Sequence, residues 1–243
     1  MTQFFTTILY QPLLNLLIFL YNIVPGHDLG AAIILLTVLI KLVLYPLSRQ
    51  SIKSQKALQD LQPKVEALKK QYKDDKEKMA KEMMALYKAE KVNPLSSCLP
   101  LLIQLPFLFA VYQVFRTGLD SSSLGLLYPF IQNPGQLNAI SFGFLDLTKV
   151  NLVLAGLTGL AQFWQTKMLM TKKQPAVTGA KDENMMAMMN KQMLYFMPVF
   201  TVIIGASLPA GLVLYWLVMT VLTALQQLLM FKKNKKQEAV AKS

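Results

Sequence analysis

The sequence predicts an all-α integral membrane protein. Five core transmembrane helices surround a polar groove open to the cytosol, with a cytoplasmic helical hairpin and an N-terminal amphipathic interfacial helix. Three observations predict it. The chain is 53% hydrophobic, with mean hydropathy +0.38, and its apolar residues fall in blocks. Its basic residues concentrate in alternate loops. Polar residues inside the apolar blocks recur at spacings of three and four.

Residues 1–28 come first, as an extracytoplasmic segment. Met1–Val24 is apolar, yet it has no basic n-region, no clear small-residue cleavage site and no Arg, so it resembles neither a signal nor a transit peptide. Pro12, Asn15 and Asn22 read as an interfacial helix, with a sixth span as the alternative. Crossing about 30 Å of hydrocarbon takes roughly 20 apolar residues. Windows of that kind are 29–48, 98–116 and 151–170, then 193–208 and 212–231. The last two are joined only by Pro209-Ala210-Gly211, so 193–231 is a hairpin of the fourth and fifth spans.

Loop charge orients the chain. Residues 49–97 carry Arg49 and Lys53, Lys56, Lys64, Lys69, Lys70, Lys73, Lys76, Lys78, Lys81, Lys88 and Lys91. The 171–192 loop and the 232–243 tail are basic too. Residues 1–28 have no Lys or Arg, and 117–150 has only Lys149. These loops put the N-terminus out and the C-terminus in. They also account for the net charge of +12 without invoking a nucleic acid.

The 49–97 segment reads as helix. Pro63 suits a first turn, and Val65, Leu68 and Tyr72 make an apolar stripe. Asp74 or Asp75 can cap the next helix, with Glu77 in its first turn, and Met79, Met83 and Leu86 form the facing stripe. A helical hairpin in the cytosol follows, either as a solvated projection or as a binding element.

The polar stripes carry the chemistry. In the first span Thr37, Lys41, Tyr45 and Ser48 share a face; in the third, Thr158, Gln162 and Gln165; in the fifth, Trp216, Thr220, Thr223 and Gln227. Gln104 adds one amide from the second. A lone Thr or Gln is ordinarily satisfied by its own helix or by a neighbour. The lysine is different. Lys41 lies roughly 10 Å inside the cytoplasmic edge at 1.5 Å per residue, and a lysine there costs about 2.5–3.5 kcal/mol on insertion scales. The spans hold no acidic partner. The aligned stripes point to a hydrated groove with one positive charge at its wall.

Several classes are excluded. The only histidine, His27, lies outside the spans, so neither a Ser–His protease nor an H-E-x-x-H metalloprotease fits. The single Cys98 excludes an internal disulfide and a Cys-based zinc site. There is no phosphate-binding G-x-x-x-x-G-K-[ST] string. No cofactor, metal or enzyme activity is expected. A small-solute channel or transporter is the surviving rival, although the sequence shows no inverted repeat.

Five strings carry a family resemblance: "KLVLYPL" (41–47), "LQPKVEALKKQY" (61–72), "EMMALYKAEKVNPLSSCLPLLIQLP" (82–106), "FLDL" (144–147) and "PAGLVLYWLVMTVLTALQQ" (209–227). On these the chain resembles the YidC membrane-protein insertases, bacterial relatives of the mitochondrial and chloroplast insertases. The resemblance implies a multi-pass protein of the bacterial cytoplasmic (inner) membrane. Such a protein inserts nascent membrane proteins into the lipid bilayer and assists their folding, with or without the Sec translocon. By motif position Lys41 takes the place of the groove cation, usually arginine in that family. Thr37 and Trp216 fall where the family meets its substrate, and Gln104 and Gln162 are further transfers; Tyr215, Thr220 and Thr223 are expected in the same groove. The sequence shows neither the large periplasmic domain of many Gram-negative members nor the lipid-anchored cysteine of many Gram-positive ones. The Lys-rich tail and hairpin are candidates to touch the ribosome; anchoring of topology explains the tail equally well. The Met-rich 184–193 stretch reads as an interfacial helix or an adaptable apolar face.

Cysteines placed near Gly26 and near Lys236 are expected to react with an impermeant reagent from opposite sides of the membrane. Labelling of both from one side would mean that the span count is wrong.

Overall fold

Proline and glycine divide the chain into helices, and the helix ends are held by side chains from distant loops. The computed structural model describes residues 3–73, 75–93, 99–117, 123–169 and 194–240. Asp74, the 94–98 link with Cys98, the loop with the Met-rich stretch, and the end of the basic tail lie outside the described residues.

The first helix, α1 (Gln3–Ile23), contains a π-helical turn at Thr6–Tyr10. Pro12 lies just beyond it. Its ring lacks an N–H and crowds the carbonyl four residues back, so the ladder widens there. A turn with Gly26 at φ 77° leads into α2 (Leu29–Val43). Next come α3 (Tyr45–Asp60), α4 (Gln62–Gln71) and α5 (Lys76–Ala89). The apolar α6 (Leu99–Thr117) follows. A two-stranded hairpin, β1 (Ile140–Ser141) and β2 (Leu145–Asp146), lies in the next loop. Then come α7 (Leu152–Leu169), α8 (Leu194–Gly205) and α9 (Ala210–Val240).

Among the described residues, two helices are long and apolar enough to cross a membrane: Gln3–Ile23 and Ala210–Lys232. The bent pair of α2 and α3 makes a third if counted as one span. Gln104–Val114 and Leu194–Gly205 are shorter apolar helices. The architecture is thus an all-α membrane protein. Large apolar side chains stand exposed on its outer faces, among them Leu42 and Val43 on α2, Val153 and Leu160 on α7, and Val199 and Ile203 on α8. A soluble protein would bury such a belt; lipid explains it.

The boundary of the first span differs from the sequence expectation. The window 29–48 is not one straight helix. It breaks at Leu44, and α3 leaves α2 at 69°. The cause is Pro46, which has no N–H for the Leu42 carbonyl, crowds that carbonyl with its ring, and suits the first turn of a new helix. Tyr45 and Ser48 therefore belong to α3 and not to the face of α2.

The N-terminal helix packs on the bundle, and its length and hydropathy also suit the sixth span. Leu13, Leu14, Leu17, Ile18, Leu20 and Tyr21 are buried in the common core with Leu29, Ile33 and Leu36 of α2 and with Val111 and Val114 of α6. Its amides are structural. Asn15 donates to the Gln11 and Leu126 carbonyls (2.8 and 3.1 Å) and accepts from the Tyr128 amide (2.6 Å). Asn22 donates to the Gln132 carbonyl (2.7 Å). These bonds hold the 126–138 loop on α1.

The hairpin docks on two helix starts. Asp28 caps α2, accepting from the Ala31 amide (2.9 Å), the Ser141 hydroxyl and the Phe142 amide (2.5 Å). The Ser141 hydroxyl in turn accepts from the Gly30 amide (2.9 Å), and a Cβ on Gly30 would lie 2.2 Å from that oxygen. At the other end, the Leu147 and Lys149 carbonyls accept from the Gly211 and Ala210 amides (2.9 and 2.8 Å), at the start of α9. Helices α7 and α8 meet through small residues: a Cβ on Gly159 would lie 2.4 Å from Val202, and one on Gly205 would lie 3.2 Å from Ala155. Close backbone approach at small residues is how helices pack where no hydrophobic effect drives them together.

In the helical hairpin of α4 and α5, Asp75 caps α5 by accepting from the Lys78 amide (2.9 Å). Val65 is buried, and Lys64 pairs with Glu90 across the two helices. Among the described residues the pair is loosely packed, with an open groove between Leu68 and Leu86.

Partial burial pushes the Asp28 pKa up, but bonds from Ser141 and from the Phe142, Ala31 and Gly30 amides outweigh it and hold the group below 3.8. Its stabilising contribution is therefore full above that ordinary value and is lost as pH falls through the lower folded value. Asp28→Ala is expected to cost about 1 kcal/mol near neutrality, as for other N-caps. Thermal melts in detergent at pH 7 and at acid pH measure this. An equal deficit at both would show that the carboxylate charge is not what caps α2.

Candidate functional site

Helix α2 carries one cation into the bundle, Lys41, two residues before its end. An ammonium group has three donors and no acceptor, so in an apolar setting it must find oxygen. It finds two hydroxyls. Lys41 Nζ donates to Thr223 Oγ1 of α9 at 2.8 Å and to Ser48 Oγ of α3 at 3.1 Å. Each hydroxyl has its own proton committed elsewhere, which turns a lone pair toward the lysine. Thr223 donates to the Met219 carbonyl one turn back (2.7 Å), and Ser48 donates to Gln226 Oε1 (2.8 Å). The break at Leu44 makes this possible: by turning α3 through 69°, it brings Ser48 back over the lysine.

Around the ammonium lies a cavity of about 80 Å³, room for several waters. Lys41, Leu44, Ser48, Ser51, Ile52 and Gln55 line it from α2, α3 and the bend between them; Gln104 from α6, Gln165 from α7, and Met219, Thr223 and Gln227 from α9 complete it. Four different helices thus contribute an amide or hydroxyl. Two buried amide atoms, Gln226 Nε2 and Gln227 Oε1, have no protein partner among the described residues. Such atoms fit a hydrated site and would be costly in a dry one. A second polar pair adjoins: Gln104 Nε2 donates to Tyr215 Oη at 2.9 Å. Lys56 lies 5.4 Å from the centre of the Phe231 ring, a further tie between α3 and α9.

The chain matches the family model described as "60Kd inner membrane protein" over residues 19–238. The chain belongs to that family. Proteins called "Membrane protein insertase YidC" are similar along most of it. The one from Fusobacterium nucleatum is 34% identical over 93% of this chain and 98% of its own length. Those from Magnetococcus marinus and Geobacter metallireducens are 38% and 35% identical over 93% and 90% of this chain. The chain spans only about a third of those two longer relatives, 36% of each. With its apolar helices, this member of the family is a bacterial inner-membrane protein.

Of the residues expected at the groove, the structure brings Lys41, Thr223 and Gln104 to the cavity, with Tyr215 behind Gln104. The others lie apart from it. Thr37 is buried and donates to the Ile33 carbonyl of its own helix (2.7 Å). Thr220 is buried, Trp216 and Gln162 are half-buried, and none of the three lines the cavity. In the third stripe Gln165 reaches it one turn after Gln162, while Thr158 bonds its own helix.

Ser51, Gln55 and Gln226 were not among the expected residues. The first two come from α3, whose start the hydropathy window conceals. Pro46 was the available signal, since a helix break before it swings the next turns across the end of α2. For Gln226 the sign was the paired Gln226-Gln227 in an otherwise apolar stretch.

Removing one acceptor from this part-buried ammonium is expected to cost about 1 kcal/mol, so Thr223→Val should lower the melting midpoint. In a Lys41→Met background the same change should cost much less, because the donor it served is gone. A double-mutant cycle in detergent measures the coupling. Strict additivity would mean that Lys41 and Thr223 do not interact in solution.

Proposed function

We propose that this protein is an insertase for nascent membrane proteins. In this reading five spans, N-terminus out and C-terminus in, enclose a hydrated groove open to the cytosol, with Lys41 as its charge. The observation that carries it is the part-buried Lys41 ammonium beside a cavity that five helices line, four of them with an amide or hydroxyl, within a protein whose outer faces are apolar. The names of the related proteins support the same reading.

The energetics set the task. A client's apolar segment gains about 1.5–3 kcal/mol for each large side chain removed from water. One carboxylate crossing the bilayer centre with it costs about 2.5–3.5 kcal/mol on insertion scales. Several acidic residues together oppose entry strongly. A hydrated groove in the inner half of the bilayer shortens their path through hydrocarbon, and the ammonium offers them a counter-charge. The apolar segment then passes sideways into lipid, and its burial drives the step. Lys41, Gln104, Thr223 and Tyr215 form the polar wall; Thr37, Gln162, Trp216 and Thr220 shape the surrounding helices. The cytoplasmic hairpin meets the client first, and the bilayer receives it. Ribosome contact through the tail and hairpin, and cooperation with the Sec translocon, extend the same role. No bond is made or broken in it, and no cofactor is required.

Purified protein in proteoliposomes tests this with two clients, one with an acidic external segment and one with that segment neutralised. Lys41→Met is expected to slow the acidic client about tenfold, equivalent to 1.4 kcal/mol of barrier, and to leave the neutral client near the wild-type rate. Lys41→Glu should be slower still with the acidic client. Failure of the wild-type protein to insert either client, accompanied by ion flux, would favour a channel instead.

A further inference from the structure

The β-hairpin of the 127–150 loop is amphipathic in an unexpected sense. Ile140 pairs with Asp146 and Ser141 with Leu145, so alternate residues share a face. The inner face, Ser141 and Leu145, is buried on the bundle. A loop hairpin between water and protein should present polar residues outward. Here the outward residues are Ile140 and Phe144, exposed to 53% and 82%, while the Phe142 ring lies partly over Gly30 at the start of α2. Phe142 also has φ 53°, a conformation that glycine or asparagine adopts far more readily. The chain thus keeps a large apolar ring at a turn position where a small residue would be easier.

We propose that this outer face of the hairpin is a lipid-binding surface, seated in the headgroup–acyl boundary of the outer leaflet. Three observations select lipid as the occupant. The hairpin is fixed at the level where helices begin, through Asp28 at the start of α2 and through the Leu147 and Lys149 carbonyls at the start of α9. It is followed in the chain by further exposed apolar residues, Val150 and, at the start of α7, Leu152 and Val153. The face also carries no uncompensated charge. Its one acid, Asp146, is bonded by Thr148 and paired with Lys149 at 3.0 Å, which holds its pKa at about 2. A neutral, aromatic-bearing surface at helix-end level suits the amphipathic interface of a bilayer.

The consequence is a depth gauge. Asp28 lies thirteen residues before Lys41 in the sequence, about 20 Å at helical rise. With the hairpin held at the outer interface, the ammonium sits in the inner half of a hydrocarbon layer about 30 Å thick. The choice of the outer leaflet and that last step rest on the outward N-terminus of the proposed function; the lipid contact does not.

The test uses the full chain with Cys98→Ser, carrying a nitroxide at Phe144→Cys or Ile140→Cys, in phosphatidylcholine vesicles. Gln136→Cys, on the exposed polar part of the same loop, is the control. Collision with oxygen relative to a water-soluble nickel chelate should be several-fold higher at 144 and 140 than at 136. Equal ratios at all three sites would overturn the lipid contact while leaving the insertase reading intact. Lipid-like ratios in a protein that inserts no client would do the reverse.

Discussion

The position of one ammonium group constrains the arrangement of every helix around it. Lys41 sits near the end of an apolar helix and needs oxygen acceptors that α2 does not supply. Thr223 can serve only if α9 runs beside α2. Ser48 can serve only if the chain turns sharply after Val43. The bend at Leu44, the start of α3 and the register of α9 are therefore parts of one solution to the solvation of a cation. Gln226 belongs to the same solution at one remove, since it fixes the direction in which the Ser48 hydroxyl faces.

The opposite end of the bundle is organised by a loop. Asn15, Asn22 and Tyr21 of α1 hold its first half, while Asp28 and the first amides of α9 hold its second. The loop thereby ties three helices whose contacts with one another are mostly apolar and non-directional. Apolar packing tolerates sliding; a set of amide and carboxylate bonds at fixed residues does not. The register between α2 and α9 that the lysine requires is set partly from this side, where Asp28 and Gly211 are held by residues six apart in one loop segment.

Much of the helical fold was legible because hydropathy acts over long windows. The helical hairpin and the Asp75 cap come from local rules that tertiary context did not override; the tight turn expected at Pro209-Ala210-Gly211 falls at Ala206–Pro209, with Ala210 and Gly211 opening α9. Two features were less legible. The break at Leu44 is hidden in a window that stays apolar across it, and only Pro46 marks it. The role of α1 was obscured because Asn15 and Asn22, taken as signs of an interface, are satisfied by carbonyls more than a hundred residues away. At the site, Lys41 was conspicuous because its cost is large and its type is rare in a span. Thr37 and Thr220 share its periodicity, but periodicity reports only which face of a helix a residue occupies. A threonine that bonds its own backbone, as Thr37 does, has no need of a polar neighbour.

The choice of lysine over the arginine usual in the resembling family follows from the size of this seat. Two hydroxyls, at 2.8 and 3.1 Å, meet two donors of a compact ammonium, and the third is left for the cavity among the described residues. A guanidinium has five donors in a rigid plane and would need acceptors spread over a wider arc. Gln227 Oε1 is one such acceptor without a protein partner among the described residues, but Ser48 and Thr223 lie where the shorter head ends. The lysine therefore divides its donors between the protein and the cavity. Two bonds hold it in place inside the bundle, and one donor remains toward the cavity.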